Sequence, residues 1–80
     1  PADGDDGSAA EDPAAVLGLT VREREVLELL ALGRTNREIG ETLFMAEKTA
    51  SVHVSRILAK LDVRSRTEAA AVAHRLGLGM

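Results

Sequence analysis

Cysteine, tryptophan and tyrosine are absent from this 80-residue chain, and Phe44 is its only aromatic residue. Without thiols there is neither a disulfide framework nor a thiolate metal site. Without aromatics, a core has to be built from Leu, Ile, Val and Ala. Both prolines, Pro1 and Pro13, fall in the front segment, so no proline breaks a helix further along. No apolar run comes near the ~18 residues of a membrane span. The front has neither the basic nor the apolar region of a signal peptide. The two histidines, His53 and His74, stand 21 residues apart with no carboxylate at ligand spacing, which argues against a metal site. A Gly-rich phosphate loop and a nucleophile elbow are also missing. The expectation is a protein that is not an enzyme, with no cofactor and no membrane contact.

Residues 1–18 contain no cation and hold Asp3, Asp5, Asp6, Glu11 and Asp12, a charge of −5. The overall charge of −3 therefore conceals a body, residues 19–80, in which 10 basic residues stand against 8 acidic ones, a charge of +2. Rich in Gly, Pro, Asp and Ala, residues 1–18 read as a flexible, disordered acidic linker. A chain that starts with Pro rather than Met reads as a fragment of a longer protein, cut at that linker. Residues 19–80 form one expected domain. A body of about 60 residues buries only about 60% of its unfolded surface, so modest stability is expected.

Four helices are predicted in this body. The first opens at a capping box, Thr20 with Glu23. It runs to about Leu32, with Val26, Leu27, Leu29 and Leu30 facing the core and Gly33 at the C′ position. The second, Asn36–Leu43, opens at Thr35 with Glu38 and buries Ile39 and Leu43. After Phe44-Met45-Ala46 comes the longest, Glu47–Leu61. The fourth opens at a third box, Ser65 with Glu68, and runs to about Leu76, followed by Gly77 as a left-handed cap and Leu78 as its apolar contact. The alternating charges of Arg22, Glu23, Arg24 and Glu25, with Arg66, read as exposed or half-buried ion pairs.

Glu47–Leu61 carries the most information. At about 100° per residue, Ala50, Val54, Ile57, Leu58 and Leu61 share one side, the stripe of a buried face. Lys48, Ser51, Val52, Ser55 and Ala59 lie opposite. They are slender, with one cation and one stray apolar side chain, where a solvated face would carry more Glu and Lys. Thr49, His53, Arg56 and Lys60 form a line of donors along the edge. Core, reading face and phosphate-facing edge on one helix are what DNA recognition requires. Two helices joined by about three residues, the second so equipped, make a helix-turn-helix.

The segment LTVREREVLELLALGRTNREIGETLFMAEKTASVHVSRILAKLDVRSRTEAAAVA, Leu19–Ala73, resembles the LuxR-type (GerE-like) helix-turn-helix domain of bacterial transcription regulators. The likeness rests on Leu19-Thr20, Arg22 to Leu27, Gly33, Thr35 to Ile39, Lys48-Thr49, His53-Val54 and Lys60-Leu61 at the family's spacing. It implies an all-α, four-helix domain behind the acidic linker, serving as the C-terminal output domain of a cytoplasmic regulator. It implies that the third helix enters the major groove, with Lys48, Ser51, Val52 and Ser55 at base edges. Thr35, Asn36, Arg37, Thr49, His53, Arg56 and Lys60 are the expected phosphate contacts. The fourth helix is implied as a weak dimer contact, formed on DNA, with Thr67, Ala70, Ala71 and His74 outward. The implied partners are double-stranded DNA carrying an inverted repeat, a second copy, and RNA polymerase.

The chain departs from the family at three places. Ala46 stands where Ser or Thr would cap the third helix, Ser51 where Lys is frequent, and Asp62 where Gly is frequent. Alternatives stay open at several residues. Val52 is a thymine-methyl contact or an ordinary surface valine. Arg56 and Lys60 touch phosphate, are solvated helix charges, or pair with Glu28, Glu41 or Asp62, and His53 touches phosphate or packs in the core with a backbone partner. The fourth helix dimerises or merely covers the other three. The front segment is a linker or an acidic tail competing with DNA. The missing sensor belongs to a response regulator, a ligand-binding regulator or an ATPase-type activator, and Lys48–Leu61 is worded most like the last. A sigma-factor region 4 domain shares the LTxRE opening but lacks the helix at Ser65–Leu76. A helical protein-interaction module is the rival from another class.

Overall fold

A computed structural model of the chain describes residues 18–78. The linker reading of residues 1–18 therefore lies outside the described residues, except for Gly18. Among the described residues there are four helices and no strand: α1 (Val21–Ala31), α2 (Asn36–Leu43), α3 (Glu47–Leu61) and α4 (Arg66–Arg75). Leu32 and Leu76, expected to end the first and last helices, are their C-caps.

Each helix starts and stops for reasons local to its sequence. At α1 and α2 both capping boxes are complete: Thr20 and Thr35 accept from the Glu23 and Glu38 N–H groups, and those carboxylates accept from the two threonine N–H groups. The third box is only half formed. Ser65 Oγ accepts from Glu68 N–H at 3.1 Å, but the Glu68 carboxylate accepts from Arg64 N–H at 2.7 Å instead of from Ser65. The reach-back is thus displaced by one residue.

All four helices stop at a left-handed residue: Gly33, Phe44, Asp62 and Gly77, with φ of 84°, 59°, 58° and 80°. Gly33 and Gly77 reach this region without a Cβ penalty. Phe44 and Asp62 bear about 1–2 kcal/mol each for it. In every case the next residue closes the helix with a bond back to the last turn. Arg34, Met45, Val63 and Leu78 N–H donate to the Leu29, Gly40, Leu58 and Ala73 carbonyls. Three of these closing residues are apolar and pack on the core, the contact that usually accompanies this motif.

The core is aliphatic throughout: Val26, Leu27 and Leu30 from α1, Ile39 from α2, Ala50, Val54 and Ile57 from α3, Ala69 and Ala73 from α4, and Leu78. Each Leu, Ile or Val so buried stabilises the fold by about 1.5–3 kcal/mol. Helix α1 packs on α3 and α4, and α2 packs mainly on α3. Phe44 takes no part; it is 95% exposed at the end of α2. On α2, facing the turn into α3, sits Gly40, where a Cβ would lie 2.6 Å from the Met45 carbonyl oxygen. The tight spacing of the two helices depends on that missing side chain.

Candidate nucleic-acid interface

Helix α3 buries Ala50, Val54 and Ile57 and turns its opposite side to solvent, as the periodicity requires. Lys48, Ser51, Val52 and Ser55 are all exposed on one face, with Val52 44% exposed. Thr49 and Arg56 are exposed along its edge, and His53 is half-buried. Ala46 gives the helix no side-chain cap. The first-turn N–H groups thus point outward without a protein acceptor on the cap side chain, and Glu47 complements the positive helix end.

At the start of α2, Thr35 and Arg37 are exposed and Asn36 is half-buried. Arg37 Nε lies 3.4 Å from Glu41, a pair so exposed that it contributes little. Arg66, anticipated as structural, fixes this corner. Its guanidinium donates to the Asn36 side-chain oxygen at 2.9 Å and to the Arg34 carbonyl at 2.8 Å. The oxygen of the Asn36 amide is thereby occupied, and its NH2 is the end left for an outside acceptor.

Lys60 departs from the expected row of phosphate donors. Its ammonium donates to Glu23 at 2.6 Å and to the Gly18 carbonyl at 3.0 Å. The ion-pair alternative is thus the one formed, with a partner other than Glu28, Glu41 or Asp62. Glu23 is 3% exposed, and the same oxygen also accepts from Thr20 N–H. One carboxylate therefore caps α1 and clamps the far end of α3. Burial alone would raise the Glu23 carboxyl; the Lys60 ammonium and the Thr20 N–H outweigh it, with a smaller pull from His53, and hold the carboxyl below its ordinary value of 4.5. His53 lies beside this pair, its Nδ1 enclosed and without a hydrogen-bond partner among the described residues. The pairs Arg22–Glu25 and Arg24–Glu28 run along α1, so Arg22 and Arg24 do form ion pairs, with Glu25 and Glu28 as partners.

The outer side of α4 exposes Thr67, Ala71 and His74, while Ala70 is half-buried and lines a groove with Leu30 and Ala31. No cluster of three His, Asp or Glu side chains suited to a metal occurs among the described residues, and no described helix is long and apolar enough to cross a membrane.

Known proteins resemble this arrangement in sequence and in fold. The family model of the bacterial regulatory proteins, luxR family, matches residues 17–73. The transcriptional regulatory protein LiaR of Bacillus subtilis is 58% identical over 57 residues, 71% of this chain and 27% of its own. The DNA-binding transcriptional activator DevR/DosR of Mycobacterium tuberculosis is 48% identical over 68 residues, 85% of this chain and 31% of its own. The chain thus spans less than a third of these relatives. The spore germination protein GerE of B. subtilis is 46% identical over 59 residues, which cover 74% of this chain and 80% of GerE. A solved structure of the transcription factor GerE superposes with a TM-score of 0.66 at 39% identity, covering 74% of this chain and 88% of that one. With four helices in the GerE arrangement and the family pattern running through all of them, this chain belongs to the luxR family of bacterial regulatory proteins and carries its DNA-binding helix-turn-helix domain.

Proposed function

We propose that the chain reads an inverted repeat in double-stranded DNA as two copies, each placing α3 in the major groove, and that it is the output domain of a longer transcription regulator. The observation that carries this reading is the division of α3: an aliphatic stripe in the core, and Lys48, Ser51, Val52 and Ser55 together in solvent. The slender face suits a groove about 12 Å wide. Lys48 supplies the cationic base contact, Val52 packs on a thymine methyl, and Ser51 and Ser55 bond to base edges directly or through water. Thr35, Asn36, Arg37, Thr49, His53 and Arg56 hold the phosphates on either side. Lys60 is left out of this set because Glu23 and Gly18 hold its ammonium. Half-sites lie about one helical turn apart, and the second copy meets the first across α4 at Thr67, Ala71 and His74, with Ala70 at the margin.

Selection from a random duplex pool at two salt concentrations tests the reading. Enrichment of an inverted repeat, with affinity falling steeply as salt rises, is the expected result. Salt-sensitive binding without an enriched sequence would remove the base contacts and leave the phosphate ones. No binding at low salt would refute the proposal and direct attention to a protein partner.

A further inference from the structure

Two side chains at the start of α2 have their acceptors occupied inside the protein and their donors left over. Thr35 Oγ accepts from Glu38 N–H at 3.1 Å. The Asn36 side-chain oxygen accepts from the Arg66 guanidinium at 2.9 Å. What remains is the Thr35 hydroxyl hydrogen and the Asn36 NH2. Thr35 is oriented by its own helix, because its capping bond is local. Asn36 is oriented by a residue 30 positions away, the first of α4. Turned over about its last bond, the amide would offer an oxygen where it now offers an NH2.

Arg66 is itself held. Its second amino nitrogen donates to the Arg34 carbonyl at 2.8 Å. The planar fork thus grips the link before α2 with one nitrogen and Asn36 with the other. Arg66 is exposed, so these bonds compete with water and add little to stability. What they fix is an orientation. We infer that Arg66 is a positioning residue for DNA: it holds the Asn36 amide with its NH2 outward for a phosphate, and touches no DNA itself. This rests on the reading of Asn36 as a phosphate contact and adds the residue that sets that contact. An amide already turned the right way need not be ordered when the phosphate arrives, and such preorganisation appears as affinity. A phosphate facing the amide oxygen would be repelled instead.

Four variants test this: Asn36→Ala, Arg66→Lys, the two combined, and Asn36→Asp. Melting temperature is measured on each, with affinity for a duplex that the native chain binds at low salt. Arg66→Lys keeps the charge and loses the fork. It is expected to weaken binding about as much as Asn36→Ala does, roughly ten-fold, with the melting temperature nearly unchanged. In the Asn36→Ala chain the same change is expected to have no further effect, because the amide it oriented is gone. Asn36→Asp leaves Arg66 an acceptor and removes the NH2. It is expected to keep the melting temperature and lose about ten-fold or more in affinity. Native affinity in Arg66→Lys would overturn the inference and make Arg66 a simple cation. Additive losses in the combined variant would overturn it by showing that Arg66 acts apart from Asn36. Native affinity in Asn36→Asp would overturn it even if Arg66→Lys fails to fold. A native chain that binds no duplex at low salt would remove the DNA reading itself, and the inference with it.

Discussion

Helix α3 carries Lys48, Arg56 and Lys60, and its two ends use their cations differently. The N-terminal end opens on Ala46 with no side-chain cap and presents Lys48, Ser51, Val52 and Ser55 to solvent. The C-terminal end is tied down: Lys60 bonds Glu23 and Gly18, Asp62 turns left-handed, and Val63 closes the helix on Leu58. A lysine on an exposed sector of a helix proposed to enter DNA is therefore not by itself evidence of a DNA contact. Where a buried carboxylate lies within reach, the lysine belongs to the fold. The N-terminal end stays open to solvent, while the C-terminal end fixes the helix to α1.

Breaking the fixed end should have the largest effect. Lys60→Met strands the Glu23 carboxylate, 3% exposed, without its cation. A loss of about 2–3 kcal/mol is expected, seen as a drop of roughly 10 °C or more in melting temperature. Glu23→Gln in the same chain should return part of it. The pair also gives stability an acid limb. Because the folded carboxyl lies below 4.5, the unfolded chain takes up the proton first as pH falls. The contribution is whole above that value and is lost as pH drops through the lowered one. Denaturant titrations over this range should show the limb in the native chain and a weaker one in Glu23→Gln.

The contact of α2 with the turn is the next place to test. Gly40→Ala gains about 1 kcal/mol of helix propensity but puts a Cβ 2.6 Å from the Met45 oxygen. The expected balance is a net destabilisation, read by thermal melting. At the free end, Ala46→Ser supplies the missing cap and should stabilise by about 1 kcal/mol; no rise in melting temperature would mean that the cap already has another partner. The smallest expected effect is at Val52. Val52→Ala should weaken binding to a selected duplex only a few-fold, with the loss confined to sites carrying a thymine at the contacted step, since two buried methyl groups are at stake.

What was legible in the sequence was what is local. Periodicity and the Thr20 and Thr35 boxes place the helices to within a residue or so, Gly77 and Leu78 close α4 as anticipated, and Asp62 takes the expected left-handed turn. The Ser65 box was half legible, because its spacing fixes the Ser65 bond but not which N–H the Glu68 carboxylate prefers. The Glu23–Lys60 clamp and the Arg66 bonds to Asn36 and Arg34 join residues 37, 30 and 32 positions apart, and no local pattern marks such pairs. Gly40 was passed over for a similar reason: its need arises from the Met45 carbonyl folding back, not from its own φ. The slender face of α3 was legible from helical spacing, and its exposure follows; what it touches is a property of a complex.

The division of α3 is tested most directly by measuring two quantities on two variants, Arg56→Ala and Lys60→Met: the slope of log affinity against log salt, and the melting temperature. Arg56→Ala is expected to lower the salt slope by about 1 and leave the melting temperature nearly unchanged. Lys60→Met is expected to do the reverse, keeping the slope of the folded protein while lowering the melting temperature. A Lys60→Met protein as stable as the native chain, with a salt slope reduced by about 1, would contradict the account and return Lys60 to the DNA.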